Sequence, residues 1–202
     1  MRAPETYSPA EVSAVTGASI RAIYKAIGER LPRGLLVQQD RQHYLTRWGA
    51  VCFVIDQEMP KDVPVAVRRQ LYTTILERQS TARVQHDRGI LSYVVDVKAV
   101  ADRVDGDFAR YRDAMSLIVE DGAIQGGAAT FGGTRILVHQ VADLLAQGAD
   151  EAELRTDYPR LTPAMLAAAP IYARAHPRRG RPKAPAWRKG AAASKAGKQR
   201  SE

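Results

Sequence analysis

Apolar residues at helical spacing near the N-terminus predict two short helices joined by a tight turn. Ser8 and Glu11 form a capping box at the start of the first helix, where Pro9 suits the first helical position. We expect Gly17 to end this helix and Ser19 to cap the second one. The second helix would bury a single apolar face, which is made of Ile20, Ile23 and Ile27.

A β-hairpin, or wing, is predicted directly after this helix pair. Between Leu35 and Leu45 the chain is apolar at both ends and polar in the centre, as expected for two short strands and their turn. Thr46 then suits the cap of a third helix over 47–57. We expect this helix to be buried because most of its residues are apolar.

The middle of the chain carries weaker patterns. They predict a helix over 65–79, a strand over 91–97 and two short helices over 99–103 and 107–112. We interpret residues 58–112 as a connector of helix and strand between two compact units.

A second compact unit is predicted over 113–175. A strand over 116–120 leads into a glycine-rich stretch that lets the backbone turn sharply between two short strands. Three helices follow, over 139–147, 151–158 and 163–175. The predicted fold is therefore mainly α with small β elements, and its second unit is a β-hairpin with a three-helix bundle.

The formal net charge of +8 lies entirely in residues 176–202, which contain nine Lys or Arg and one acid. This segment has almost nothing to bury, so we expect a disordered basic tail. A flexible cation is attracted to nucleic acid, although a tail that only promotes solubility explains the charge as well.

The remaining composition indicates a cytoplasmic protein. Cys52 is the single cysteine, which excludes an intramolecular disulfide and fits a reducing compartment. The N-terminus lacks the apolar stretch of a secretory signal. The chain also lacks an apolar run of the about 18 residues that a membrane span needs, so we expect no membrane partner.

Candidate catalytic sites are hard to assemble from this sequence. The stretch from Gly127 to Thr134 resembles a phosphate-binding loop, but Gly133 stands where the essential lysine belongs. The histidines are scattered without metal-site spacing, and Cys52 lies among apolar residues. We therefore expect no cofactor, no metal site and no enzymatic activity.

The second helix is the stronger functional candidate. With its isoleucines buried, Arg21, Tyr24 and Lys25 fall together on the opposite face, next to the cap Ser19. A recognition helix presents long polar side chains in this way to the major groove of double-stranded DNA. Arg21 can bind guanine, while Tyr24 and Lys25 suit phosphate contacts. An amphipathic helix with a solvated face is the alternative interpretation.

The predicted wing adds to the candidate DNA interface. Arg41 and His43 lie in it and could contact the DNA backbone or the minor groove. The succession of helix, glycine turn, helix and wing favours DNA binding over the alternative. Residues 7–57 resemble the winged helix-turn-helix of the MerR type.

The tail contains a more specific motif. Residues 177–183 include Arg179, Gly180 and Arg181 followed by proline, and they look like an AT-hook. An extended Arg-Gly-Arg unit is slim enough to lie in a narrow minor groove, whose negative potential attracts both arginines. A chance match in a basic tail, or contact with an acidic partner protein, explains the motif equally well.

Residues 118–175 resemble a small prokaryotic domain of formally unknown function that is found in VapB-type antitoxins. The motifs that carry the resemblance are Gly126-Gly127, the run from Gly133 to Val138, Gly148, the run from Tyr158 to Thr162, and Tyr172-Ala173. The chain departs from the family pattern at Ala128-Ala129, where a Lys-Pro type of pair is usual, and at Pro170 in the last helix.

The resemblance implies a helix-turn-helix-like bundle of three helices behind a β-hairpin, and a PIN-like ribonuclease toxin as the partner. It further implies structural roles for the Gly-Thr-Arg-Ile segment. Thr134 would form a turn or cap, Arg135 would anchor the segment by an ion pair or a hydrogen bond, and Ile136 and Val138 would face the core.

Together these features indicate an antitoxin that represses its own operon and neutralises a toxin. We expect a homodimer, because two winged domains on a palindrome share a two-fold axis. The first alternative is a stand-alone transcriptional regulator without a toxin. The second is an enzyme that acts on nucleic acid, which would need a cluster of acids to hold a metal.

Overall fold

The computed structural model describes residues 5–80, 83–88 and 91–178, and it confirms a mainly α fold with small β elements. The helices in this part of the chain are α1 (Pro9–Thr16), α2 (Ile20–Glu29), α3 (Arg47–Glu58), α4 (Val65–Arg78), α5 (Val97–Ser116), α6 (Val138–Ala146), α7 (Glu151–Asp157) and α8 (Pro163–Ala175). In the described ranges no helix is both long enough and apolar enough to cross a membrane.

The described strands form three small antiparallel sheets. They are β1 (Thr6–Tyr7), β2 (Leu36–Gln39), β3 (Gln42–Thr46), β4 (Val84–Arg88), β5 (Leu91–Val95), β6 (Ile118–Val119) and β7 (Thr130–Phe131). The first sheet has the order β1-β3-β2, while β4 pairs with β5 and β6 with β7. Short 3-10 turns precede β2 and β7.

The capping residues predicted for the first helix pair are confirmed. The backbone N–H of Ser8 donates to the Glu11 carboxylate at 2.7 Å, and the N–H of Glu11 donates to Ser8 Oγ at 3.2 Å. Gly17 ends α1 in the left-handed region with φ 72°. Ser19 caps α2 by accepting from the N–H of Ala22 at 3.2 Å. Local side-chain chemistry thus sets both helix starts.

The predicted hairpin is also present and forms a three-stranded sheet. Its turn places Asp40 at φ 47° and Arg41 at φ 64°, the pair of positive values that a two-residue hairpin turn needs. β1 pairs with β3 through Tyr7 and Leu45 and completes the sheet. The sequence did not predict β1, because a strand of two residues is too short to show a periodic pattern.

The first hydrophobic core surrounds α3 and includes residues from α1 to α5. Gly49 lies where α3 crosses the backbone before β2, and a Cβ atom there would collide with the carbonyl oxygen of Leu35. The ring of Tyr7 stacks on that of Phe108 in α5 with centroids 3.6 Å apart. Helices α4 and α5, from the predicted connector, therefore contribute directly to this core.

The two short helices predicted over 99–103 and 107–112 are wrong, because α5 is one continuous helix of 20 residues. Gly106 does not break it, and α5 runs across the predicted boundary between residues 112 and 113. The predicted strand over 91–97 is β5, which ends at Val95 and pairs with the unpredicted β4. Four consecutive polar residues follow Val84 in β4, so the alternation that identifies a strand is absent there.

The C-terminal unit follows the predicted order of hairpin and three helices. Gly126, Gly127 and Gly133 have φ values of 66°, 84° and 72°, which confirms their role in sharp turns. Thr134 forms the predicted turn, since its Oγ1 donates to the Phe131 carbonyl at 2.9 Å and accepts from the N–H of Ile136 at 3.1 Å.

The anchoring role predicted for Arg135 is wrong. Its side chain is exposed, and the described residues give its guanidinium no hydrogen-bond or ion-pair partner. Val138 is fully buried as predicted, while Ile136 is half-buried against the second core.

Helix α8 joins the two halves of the protein. It packs against α6 in the second core and against α1 and α5 in the first. Pro170 lies inside α8, which continues past it to Ala175. The predicted tail starts at 176, but His176 stacks on Tyr172 with centroids 4.4 Å apart, and Arg178 pairs with Asp143 at 2.8 Å. These two residues therefore belong to the packed structure.

Candidate nucleic-acid interface

Helix α2 presents the polar face that the sequence predicts. Arg21, Tyr24 and Lys25 are exposed, whereas Ile23 and Ala26 are fully buried. Ile20 and Ile27, which were predicted to be buried with Ile23, are only partly buried. Tyr24 is among the most exposed large hydrophobic side chains of the described residues, with 54% of its surface accessible. An exposed aromatic ring between two cations is well suited to a polyanionic surface.

The turn between α1 and α2 is fixed by side-chain hydrogen bonds. Ser13 Oγ donates to the carbonyl of Ala18 at 2.7 Å, and Thr16 Oγ1 donates to the carbonyl of Val12 at 2.7 Å. Together with the left-handed Gly17, these bonds set the angle at which α2 leaves α1. The cap Ser19 is itself exposed at the start of α2.

A buried ionic cluster holds the far end of α2 against α3 and α4. The Asp56 carboxylate is fully buried, and it lies 2.8 Å from Arg30 Nη1 and 3.1 Å from Arg68 Nη1. Tyr72 donates its hydroxyl to Asp56 Oδ1 at 2.9 Å. Burial, reinforced by the charge of Asp56, raises the pKa of Tyr72 far above its ordinary value, so the hydroxyl keeps its proton.

The cluster was not predicted from the sequence, although two signals were present. Asp56 directly follows the apolar run of α3 that ends at Ile55, and Arg68 lies at helical spacing from the apolar residues Leu71 and Ile75 of α4. Because a buried charge requires a partner, each signal predicts the other. The two residues are 12 apart in sequence and belong to different helices, so helical spacing alone does not connect them.

The predicted wing residues lie on a different element from the α2 face. Arg41 is at the tip of the β2–β3 hairpin and His43 follows on β3, and both are exposed. The hairpin and α2 are brought into one body because both contact α3. One helix and its cap thus carry Ser19, Arg21, Tyr24 and Lys25, whereas the wing pair lies on a separate element. The predicted hook residues Arg179, Gly180 and Arg181 lie outside the described residues.

In the part of the chain that the structure describes, Cys52 and two of the histidines are held in packing contacts. Cys52 is fully buried in α3, and burial raises the pKa of its thiol well above the usual range, so it packs as a small hydrophobe. His139 and His176 both contact the ring of Tyr172. Across residues 5–80, 83–88 and 91–178, no group of three His, Cys, Asp or Glu side chains could hold a metal ion.

Two motifs of the C-terminal unit meet at a surface hollow of about 490 Å³. Arg160, from the Tyr-Pro-Arg-Leu-Thr run, donates to the carbonyl of Gly133 at 3.2 Å and so links the two segments. Ile136 and Tyr158 form apolar walls, and the exposed Arg135 lies at the rim. Among the described residues, the hollow thus combines the exposed guanidinium of Arg135 and the carboxylate of Asp157 with an apolar surface.

Comparison with known families finds a match to the C-terminal unit. Residues 118–173, which are 56 of the 202 residues, match the model of a family described as "Protein of unknown function (DUF433)". No curated protein and no solved structure matches the chain. The C-terminal unit is therefore similar to a family whose function is unassigned.

Proposed function

We propose that this protein is a cytoplasmic antitoxin that binds operator DNA as a homodimer, represses its own operon and neutralises a PIN-like ribonuclease toxin. It acts by binding and not by catalysis. The observation that carries the proposal is the exposed face of α2, where Arg21, Tyr24 and Lys25 project from a helix that is rigidly held at both ends.

The charge distribution supports binding to double-stranded DNA. The face of α2 combines a guanidinium, which pairs with guanine through two hydrogen bonds, with an ammonium and a phenol that suit phosphate. The excess positive charge of the chain lies close to its C-terminus and adds an attraction that does not depend on DNA sequence. Specificity would thus come from α2, and part of the affinity from the basic segment.

The antitoxin part of the proposal is supported by the C-terminal unit. Its match to a family model covers the segments in which the sequence resembles the domain of VapB-type antitoxins. The hollow that carries Arg135 and Tyr158 is the surface that we propose for the toxin, because an exposed cation beside apolar walls suits a protein partner.

The DNA-binding proposal is tested by fluorescence anisotropy on the DNA upstream of the gene. Arg21→Ala should weaken binding by about 1–3 kcal/mol and relax the preference for one base pair, while Lys25→Ala should weaken binding to all sequences alike. Lys98→Ala is the matched control, since Lys98 is exposed on α5 and pairs with Asp102. If both α2 variants bind as the unsubstituted protein does, α2 is not the recognition helix.

The antitoxin proposal is tested by co-expression with the neighbouring open reading frame. The expected result is a stable complex of the two proteins and rescue of growth when the neighbour is toxic. Arg135→Glu should weaken that complex and leave DNA binding unchanged. A protein that binds the operator but neither captures nor neutralises the neighbour would be a stand-alone transcriptional regulator.

A further inference from the structure

A pocket of about 350 Å³ lies beside α2, between this helix, the end of α3 and the start of α4. Lys25 and Lys61 are exposed at its rim, and Arg30, Asp56 and Arg68 line it more deeply. Its ionisable lining consists of four basic and two acidic side chains, the second acid being Glu29. The pocket therefore has an excess of positive charge, and a volume suited to a small ligand or part of one.

The floor of the pocket carries one of the two excess positive charges. Arg30 and Arg68 share one carboxylate, that of Asp56, so one partly buried and one buried cation are balanced by one buried anion. Their side chains are only 18% and 6% exposed, and water screens them poorly. A buried charge without a full counter-charge is costly, which favours a bound anion.

The two arginines differ in how their donors are used. Arg68 donates to the carbonyls of Val63, Asp56 and Pro60 in addition to the Asp56 carboxylate. Arg30 Nη1 lies 2.8 Å from the other carboxylate oxygen, Oδ2, without making a hydrogen bond, so Arg30 Nε and Asp56 Oδ2 are both buried without a hydrogen-bond partner in the described structure. Arg30 is thus the floor cation with a donor to spare, beneath the two rim lysines.

We propose that this pocket binds an oxyanion, a phosphate or carboxylate group, held by Lys25 and Lys61 at the rim and by Arg30 below them. Two ammonium groups and a guanidinium supply charge-assisted hydrogen bonds to several oxygens of one such group. Glu29 at the rim disfavours ligands that carry a large negative charge outside the pocket.

The oxyanion has two candidate sources, a free anionic small molecule and a backbone phosphate of DNA. Lys25 is relevant to both. Lys25 belongs both to the exposed face of α2 and to the pocket rim. A free anionic small molecule in the pocket would compete with DNA for Lys25 and weaken DNA binding. Alternatively, a backbone phosphate of the DNA itself enters the pocket. The second source rests on the proposed function, and the first does not.

The first experiment titrates the full-length protein with inorganic phosphate and follows backbone amide shifts by NMR, with chloride at equal ionic strength as the reference. We expect saturable shifts at residues that line the pocket, and an affinity about tenfold weaker in Lys61→Ala, which removes one charge-assisted contact. Lys61 is exposed and lies outside the predicted DNA face, and Lys98→Ala is the control for the loss of a surface lysine.

The second experiment measures the affinity for operator DNA as a function of salt concentration. If a DNA phosphate occupies the pocket, Lys61→Ala lowers the salt slope by about 0.9, the value for one phosphate contact. If a free ion occupies it, phosphate weakens DNA binding more than chloride does at equal ionic strength, and Lys61→Ala removes this difference.

The proposal is overturned if phosphate and chloride shift the same amides equally in the unsubstituted protein and in Lys61→Ala, and the DNA salt slope is also unchanged. That result would indicate an adventitious ion only. Saturable phosphate binding in a protein that binds no DNA would support the oxyanion site and contradict the proposed function. Failure of the oxyanion proposal and failure of the proposed function are therefore distinguishable.

Discussion

Arg47 and Asp105 form a bidentate ion pair, with Nε 2.7 Å from Oδ1 and Nη2 2.5 Å from Oδ2. The pair joins the first residue of α3 to the middle of α5, which lie 58 residues apart. The guanidinium also lies 4.6 Å from the ring centre of Trp48, so Arg47 contacts both Asp105 and Trp48. The hydrogen bond to Asp105 raises the pKa of Arg47 above its ordinary value.

We expect this pair to contribute a modest coupling energy to folding. Both side chains are partly exposed, at 30% and 44%, so solvent screens the pair and its coupling should be about 0.5–1 kcal/mol. A double-mutant cycle with Arg47→Ala and Asp105→Ala, followed by urea unfolding, measures it. Zero coupling would mean that Arg47 acts through its contact with Trp48 alone.

The buried Asp56 should be far more important for stability. Asp56→Ala leaves two guanidiniums and the Tyr72 hydroxyl without their shared acceptor, and we expect a loss of about 3–5 kcal/mol in the free energy of unfolding. Asp102→Ala is the control, because Asp102 forms an exposed pair within α5. Its effect should stay below about 1 kcal/mol. Similar losses in the two variants would contradict the role of the cluster.

Two helical glycines should respond in opposite ways to the same substitution. Gly49→Ala places a Cβ against the Leu35 carbonyl oxygen, and it should destabilise the protein by about 1–3 kcal/mol. Gly106→Ala meets nothing within 4 Å in the middle of α5 and should stabilise it by about 0.5–1 kcal/mol. Thermal unfolding of the two variants would test this, and stabilisation by Gly49→Ala would contradict the close approach.

Stability should fall in mild acid because of His139. Burial, followed by the positive charge of Arg178, lowers the pKa of His139, so the folded state favours the neutral imidazole. The unfolded chain takes up a proton near pH 6.5. The contribution of His139 is therefore complete above that pH and declines as the pH falls below it.

The pH effect is measured as the midpoint of thermal unfolding between pH 7.5 and 5.5, on the order of one unit either side of the ordinary histidine pKa. His139→Gln should flatten the decline, whereas Gln140→Ala at the exposed neighbouring position of α6 should not change it. An equal decline in the unsubstituted protein and in His139→Gln would assign the pH dependence to other groups.

The sequence predicts the helix boundaries well wherever local chemistry sets them. Ser8, Ser19 and Thr46 accept hydrogen bonds from the helix starts that they were predicted to cap. These interactions involve residues three positions apart, so they are visible in the sequence itself. For the same reason the face of α2 could be predicted from its isoleucine spacing.

Features that depend on distant residues could not be predicted in this way. α5 continues through Gly106 because Val104 and Phe108 on either side of it are buried in the core, and this packing outweighs the low helix propensity of glycine. Lys25 and Lys61 line the same pocket beside α2 only because the fold brings them there. Neither relationship leaves a periodic pattern in the sequence.

The position of α8 has a consequence for how the protein unfolds. This helix buries Leu166 and Ala169 in the second core and Ala175 in the first, so neither core is complete without it. We therefore expect one cooperative calorimetric transition and not two, and an excised fragment covering 118–173 would expose an apolar helix face. Because both cores share α8, a ligand that stabilises either half would also slow amide hydrogen exchange in the other through thermodynamic linkage.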